Sequence, residues 1–115
     1  MKIVYIAHPV KGDKTNNIVK IVQICRRINL SNQGIVPFAP YISDCLALSD
    51  DIHVERQRGL MNDAHYFNLG IIDELWLYGD HLSPGMIYEI DMAIKHNIPI
   101  FAKTEEIANI LHDAQ

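Results

Sequence analysis

A chain of 115 residues that is 49% hydrophobic and 21% charged has the length and composition of one globular domain, residues 1–115. Its formal net charge of −4, without a run of Lys or Arg, argues against nucleic acid as a partner. Its apolar runs are all shorter than the roughly 20 residues of a membrane span, so we expect no membrane association.

The cysteine and histidine pattern argues against a disulfide framework and against a metal site. Cys25 and Cys45 belong to no CxxC or His/Cys motif, and the histidines show no metal-ligand spacing. The first residues, MKIVYIAHPV, reach proline too early for a signal peptide. We therefore expect a reducing, cytoplasmic location, no metal and no cofactor.

The first half of the chain predicts two strands separated by a helix. Residues 1–7 are typical of a short strand buried on both faces, which Pro9 ends. Residues 35–38 predict a second strand, and we expect residues 40–51 to form a long loop. Between the strands, apolar residues recur at the three- and four-residue spacing of a helix, namely Ile18, Ile21, Val22, Cys25 and Ile28.

The second half continues the alternation of helices and strands. Ser49 or Asp50 is the predicted cap of its first helix. In chain order the predicted elements are a helix over 52–68, a strand over 74–78, a helix over 84–96, a strand over 98–101 and a helix capped by Thr104.

This order of elements predicts an α/β fold with a four-stranded parallel sheet and helices on both faces, a Rossmann-like or flavodoxin-like three-layer sandwich. Right-handed crossovers leave few topologies, and we predict the strand order 2-1-3-4. Ligands bind to such sheets beyond the carboxyl ends of the strands. That rule selects residues 7–13, 38–51 and 79–85 as the walls of a ligand site.

The segment HLSPGMIYEIDMAIKHN, residues 81–97, predicts a turn that leads into a helix. Ser83 is the predicted N-cap, Pro84 suits the first turn, and Gly85 allows a ligand close to the backbone. The free N–H groups at a helix start favour an anion or an electron-rich oxygen. The absence of GxGxxG and Walker motifs disfavours dinucleotide and P-loop binding.

Glu89 lies one helical turn after Met86, at the edge of the predicted buried stripe. From there its carboxylate can reach the predicted crevice, where it would serve as a nucleophile or a base. The alternative is a boundary residue whose carboxylate extends to water. Spacing alone leaves both possibilities open.

Two loop residues are further candidates. His8 directly follows the first strand, where it would bind a phosphate or act as an acid. The alternative is a loop histidine without a functional role. Tyr41 would either stack on a nucleobase or pack as a loop aromatic.

Three motifs occur in order along the predicted scaffold: YIAHP at the end of the first strand, ELWLYGD at the third strand and SPGMIYEIDMAI at the following turn and helix. Together they resemble the nucleoside 2-deoxyribosyltransferase-like superfamily, in particular its small phage and bacterial members. The resemblance spans residues 1–101. It implies an enzyme that cleaves an N-glycosidic bond, as a deoxyribosyltransferase or a hydrolase.

The resemblance also implies roles for individual residues. Glu89 would attack the anomeric carbon and form a glycosyl-enzyme ester, and Tyr5 would orient its carboxylate. Asp80 and, as a looser match, Asp63 would hold the nucleoside or protonate the leaving base. A close carboxylate stabilises the oxocarbenium-like transition state, as in retaining glycosidases. The other expected substrate-binding residues are Ala7, His8, Pro9, Tyr41, Gly79, Ser83, Gly85 and Met86.

Three functions therefore stay open. The first is the enzyme just described, with a small nucleoside or nucleotide as its ligand. The second is a non-catalytic binding protein that captures a nucleotide-derived metabolite or signalling molecule, which the altered turn over residues 83–86 and the short length of the chain favour. The third is a structural or regulatory subunit that kept the fold alone. A homo-oligomer is predicted from the apolar residues around Ile52, Leu60 and Tyr66. The resemblance implies the same, because family members commonly share sites across a subunit boundary.

Overall fold

The computed structural model describes residues 1–32 and 34–114. Within this part of the chain, no helix combines the length and the apolar character that crossing a membrane requires. The elements, in chain order, are β1 (Lys2–Ala7), α1 (Lys14–Ser31), β2 (Ile35–Phe38), α2 (Tyr41–Ala47), α3 (His53–Asn68), β3 (Glu74–Leu77), α4 (Pro84–Lys95), β4 (Ile100–Ala102) and α5 (Glu105–Asp113).

The four strands form one parallel sheet in the order β2-β1-β3-β4, which confirms the predicted fold class and topology. β1 lies between β2 and β3. It pairs Tyr5 with Phe38 on one side and with Leu75 on the other. Because β1 is central and covered on both faces, residues 4–7 have no solvent-exposed surface.

The two faces of the sheet have separate hydrophobic cores, and successive residues of β1 alternate between them. Val4 and Ile6 pack against α1. Tyr5 and Ala7 point to the opposite face, into the larger core under α3, α4 and α5. The helix residues of that larger core are Phe67, Met86, Ala93 and Ile107. Tyr5 therefore faces the two helices that carry the candidate carboxylates.

Residues 41–47 form the short helix α2, so the prediction of a long loop over residues 40–51 was wrong. The physical reason is the length of α2. Seven residues hold barely two turns, and none of them is fully buried, so their apolar pattern is too short to mark a helix. The helix places Tyr41 and Cys45 one turn apart on the face towards α3 and the carboxyl end of the sheet.

The helix caps agree with prediction in two cases out of three. Ser83 accepts a hydrogen bond from the Met86 N–H at the start of α4, and Thr104 does the same for α5. α3 begins after Ile52 without a side-chain cap, so the predicted cap by Ser49 or Asp50 was wrong. Ser49 instead donates its backbone N–H to the Glu55 carboxylate at 3.1 Å, which ties down the preceding loop.

Candidate functional site

A cavity of about 290 Å³ lies beyond the carboxyl end of β1, between α2, α3 and the start of α4. All three segments that the topology rule selected contribute to its lining. Its lining residues are His8, Val10, Lys11, Tyr41, Asp44, Cys45, Leu48, Asp50, Glu55, Arg56, Gly59, Leu60, Asp63, Ser83, Pro84, Gly85, Met86 and Glu89.

Three buried polar side chains meet at the inner wall of this cavity. Tyr5, Asp63 and Glu89 are 0%, 7% and 6% exposed, and they come from β1, α3 and α4. The Tyr5 hydroxyl lies 2.5 Å from Asp63 Oδ1 and also within hydrogen-bond distance of Glu89 Oε2. The two carboxyl groups line the cavity, and the tyrosine lies behind them.

The cluster holds a shared proton. The Tyr5 hydroxyl has one hydrogen, so it donates to one carboxyl group at a time, and its contact with the other needs a proton on that group. Burial, followed by the nearby charge of Asp63, raises the pKa of Glu89 well above its ordinary value. Burial also raises the pKa of Asp63. The contacts of Tyr5 therefore call for one proton on the carboxyl pair, and the stronger effect of burial on the pKa of Glu89 favours Glu89 as the group that holds it.

Glu89 belongs to the buried face of α4, not to its edge. Met86 and Ala93, about one turn before and after it, are the other buried residues of this helix. The alternative of a carboxylate that extends to water is therefore wrong. The Ser83 cap fixes where α4 begins, and the helical repeat then directs the Glu89 side chain towards the sheet and Tyr5.

Aromatic rings hold Tyr5 in position. The Tyr41 ring stacks on it with centroids 5.7 Å apart, and the Phe67 ring tilts against it at 5.1 Å. The Tyr41 hydroxyl donates to the Ile6 carbonyl at 2.6 Å, which joins α2 to the central strand. Tyr41 therefore packs as a structural aromatic while one part of it lines the cavity.

His8 is buried, at 9% exposure, and lines the cavity. Its Nδ1 lies 2.6 Å from the Pro9 carbonyl oxygen. A carbonyl oxygen only accepts, so Nδ1 carries the hydrogen and donates it. Burial lowers the pKa of His8, which keeps the ring neutral at pH 7.

Five predicted site residues do not line the cavity, namely Tyr5, Ala7, Pro9, Gly79 and Asp80. Tyr5 and Ala7 are completely buried beneath it. Gly79 packs against Pro9, so closely that a Cβ on Gly79 would lie 2.6 Å from the Pro9 Cδ. Asp80 is exposed and accepts a hydrogen bond from His81 Nδ1 at 2.7 Å, a contact that lowers the pKa of Asp80. The structure does not bring Asp80 to Glu89.

The sequence reasoning missed the charged residues on the outer part of the cavity. Arg56 and Lys11 line it as cations, and Arg56 lies in the first turns of α3. A signal for Arg56 was present in the sequence, because it precedes Asp63 by seven residues, or two helical turns, and so shares its helix face. Cys45 also lines the cavity, where burial raises its pKa to about 11 and keeps it a neutral thiol.

A family model described as "Domain of unknown function (DUF7768)" matches residues 2–103. The chain belongs to this DUF7768 family. The matched range of the DUF7768 domain holds the whole sheet and all three residues of the Tyr5–Asp63–Glu89 cluster. The comparison with curated proteins gave no match, and neither did the comparison with solved structures.

The DUF7768 domain offers no evident metal site in residues 1–32 and 34–114. No three His, Cys, Asp or Glu side chains of this part of the chain are grouped as metal ligands.

Proposed function

We propose that this protein cleaves the N-glycosidic bond of a nucleoside or nucleotide, as a deoxyribosyltransferase or a hydrolase, with Glu89 as the nucleophile. One observation carries the proposal: two buried carboxyl groups, of Glu89 and Asp63, are joined through the Tyr5 hydroxyl at the wall of an open cavity. Enzymes that retain configuration at a sugar carbon use such a carboxyl pair, one as nucleophile and one as acid.

The proton shared by Glu89 and Asp63 supplies the acid that the leaving base requires in the first step. A Glu89 oxygen attacks the anomeric carbon while the carbon–nitrogen bond breaks, and the electron pair of that bond goes to the base. The proton that Glu89 holds at rest passes to Asp63, which delivers it to the leaving base. Tyr5 bonds to both carboxyl groups at rest and still donates its one hydrogen to Asp63 when Glu89 is esterified, which helps to keep the groups in position.

Asp63 takes the role of acid in this proposal because its pKa is raised and it lines the cavity beside Glu89. Asp80 has the opposite properties, since it lies outside the cavity and its pKa is lowered. A contact of Asp80 with the nucleoside stays a prediction that rests on the resemblance alone.

The cavity favours a ligand of about the size of one nucleotide. Its volume of about 290 Å³ is near the lower end of the range for ligand sites, about 300–1,000 Å³. Leu60 and Met86 offer apolar surface to a base. Lys11 and Arg56 offer positive charge to a phosphate, and Asp44, Asp50 and Glu55 offer acceptors to hydroxyl or amino groups. Both nucleosides and nucleoside 5′-monophosphates therefore belong in the search for a substrate.

The test is incubation with a panel of nucleosides and 5′-monophosphates, with and without added free bases, followed by chromatography. We expect release or exchange of base by the wild-type protein and a loss of about 10³-fold or more in Glu89→Gln. Glu105→Gln, an exposed position on α5, is the matched control and should keep the full rate. Equal rates in wild type and Glu89→Gln would refute the proposal.

The second candidate function, capture of a nucleotide-derived molecule without turnover, is favoured by the raised pKa of Glu89, which favours its protonated form. A protonated carboxyl group donates a hydrogen bond but does not attack carbon. Isothermal titration with the same panel separates the two functions, because capture gives tight binding without release of base. A protein that kept only the fold would show neither binding nor release.

The homo-oligomer and the cytoplasmic location also remain proposals. Ile52, Val54 and Met61 expose apolar surface at α3, whereas Leu60 and Tyr66 are partly buried within the chain. The free thiols of Cys25 and Cys45 suit a reducing compartment. Light scattering tests the first proposal, since an oligomer gives a mass of at least twice that of one chain.

A further inference from the structure

We propose that His8 is the base that activates water in the second half of this reaction, which makes the protein a hydrolase rather than a transferase. The inference rests on the proposed function, because it needs the glycosyl ester of Glu89. It adds that water is the acceptor of the sugar and that His8 selects water.

The fold places His8 at the mouth of the same cavity that Glu89 and Asp63 line. It directly follows β1 and lies three residues beyond Tyr5, at the carboxyl end of the central strand. With 9% of its surface exposed, the ring is a wall of the cavity and not a side chain in bulk solvent.

The hydrogen bond to Pro9 fixes which nitrogen is free. Nδ1 donates to the Pro9 carbonyl, so in the neutral ring Nε2 carries a lone pair and accepts. The Cδ2 edge lies near the turn after β3, since a Cβ added at Gly79 would lie 3.9 Å from the His8 Cδ2. The hydrogen bond of Nδ1 thus fixes one edge of the ring.

Nε2 is left for a ligand or a water molecule. No completely buried side-chain nitrogen or oxygen in residues 1–32 and 34–114 lacks a hydrogen-bond partner. The one hydrogen bond that the His8 ring makes to the described residues uses Nδ1. Nε2 is therefore accessible, and it belongs to a side chain that lines the cavity.

Neighbouring groups are less suited to take a proton from water. After the first step the Asp63 carboxylate accepts the hydrogen bond of the Tyr5 hydroxyl, and that bond lowers the pKa of Asp63 and makes it a weaker base. Cys45 is a neutral thiol, with its pKa raised to about 11 by burial. A neutral imidazole is the usual base for this task near pH 7.

The step balances without a further reactant. A water oxygen attacks the anomeric carbon of the ester, and the bond between that carbon and the Glu89 oxygen breaks. The electron pair of that bond returns to the carboxylate, and the proton of the water passes to His8 Nε2. The products are the free sugar and an enzyme with the proton on His8, and return of that proton to the carboxyl pair of Glu89 and Asp63 restores the resting state.

The experiment compares wild type with His8→Asn on whichever panel member releases base. The amide nitrogen of Asn occupies the place of Nδ1 and keeps the donor to the Pro9 carbonyl, but nothing replaces Nε2. We expect a burst of one equivalent of base per chain, then turnover slower than wild type by about tenfold or more. Intact mass spectrometry of the variant during turnover should show one sugar added to the protein.

The control is His112→Asn, an exposed histidine on α5, which should show the wild-type rate and no adduct. Added free base should not accelerate the wild-type protein. Circular dichroism checks that His8→Asn is folded, and His8→Gln replaces it in the same two measurements if it is not.

Three results would overturn the inference while the proposed function stands. The first is turnover of His8→Asn at the wild-type rate. The second is a burst in His8→Asn that slows as much as its later turnover. The third is transfer of the sugar by the wild-type protein to added base faster than to water. The absence of base release from the wild-type protein, by contrast, would remove the proposed function itself.

Discussion

The carboxyl group of Glu89 is buried between a tyrosine and an aspartate, in surroundings that disfavour a charge. A buried carboxylate without a cation beside it is costly, and taking up a proton is the cheaper solution. The cluster of Tyr5, Asp63 and Glu89 is thus stable at rest in a form that is not yet nucleophilic. Ligand binding has to release that proton, and in the proposed function the leaving base consumes it.

The raised pKa of Glu89 makes the stability of the protein depend on pH. The folded state binds more protons than the unfolded state between the ordinary pKa of a Glu and the raised one, so stability falls as pH rises through that window. In Glu89→Gln this loss is absent, because Gln mimics the protonated form. We expect the variant to melt several degrees above wild type at about pH 8, with little difference near pH 4.

Thermal unfolding by circular dichroism across this pH range measures the effect, with Glu105→Gln as the control. Parallel curves for wild type and Glu89→Gln would show that Glu89 is ionised in the folded protein.

Removal of the Tyr5 hydroxyl should separate packing from chemistry. Tyr5→Phe keeps the ring between Tyr41 and Phe67 but leaves the carboxyl pair without its donor. We expect base release to fall by about 10²-fold and stability by about 1–3 kcal/mol. Tyr78→Phe, on the opposite face of the sheet, is the control. Full activity in Tyr5→Phe would show that the hydroxyl has no catalytic role.

At the scale of elements, prediction succeeded where the sequence carries a clear local signal. The apolar stretches of β1 and β3 and the caps Ser83 and Thr104 are local features, and they predicted the sheet and the helix starts. The signal of α2 is too short to distinguish a helix from a loop, because the helix has seven residues and is only partly buried. Tyr41 was therefore expected in a loop, although it lies in the first turn of a helix.

The Ser83 cap should contribute a measurable share of stability. Its hydroxyl oxygen accepts from the Met86 N–H at 3.2 Å, which is otherwise unsatisfied at the start of α4. We expect Ser83→Ala to lose about 1 kcal/mol in urea unfolding and Ser83→Asn, which still caps, to lose less than half of that. Equal losses in the two variants would mean that the cap is unimportant.

The turn after β3 depends on Gly79 for two separate reasons. Its φ of +95° is unfavourable for other residues, and a Cβ would clash with Pro9. Gly70 has a φ of +71° and open space around its Cβ position, so Gly70→Ala measures the backbone cost alone. We expect a loss of about 1–2 kcal/mol there and a clearly larger loss in Gly79→Ala, by urea unfolding. Equal losses would rule out the clash with Pro9.

At the scale of the whole molecule, the candidate site exists only because the sheet order brings distant segments together. Tyr5 and Glu89 are 84 residues apart in sequence, and Tyr5 and Asp63 are 58 apart. The parallel topology predicted that the loops after β1 and β3 would lie side by side. It did not predict the shared proton, which depends on how closely α3 and α4 approach each other over Tyr5. Nor did it predict that Asp80 would face solvent.

The most direct test of the account is to trap the sugar on Glu89. A nucleoside with fluorine at the sugar 2′ position slows the breakdown of a glycosyl ester, because fluorine destabilises positive charge at the neighbouring carbon. After reaction, acid quenching and proteolysis, peptide mass spectrometry should show the fluorinated sugar on Glu89 in the wild-type protein and no adduct in Glu89→Gln. Release of base with the sugar on Asp63, or on no residue, would contradict the account.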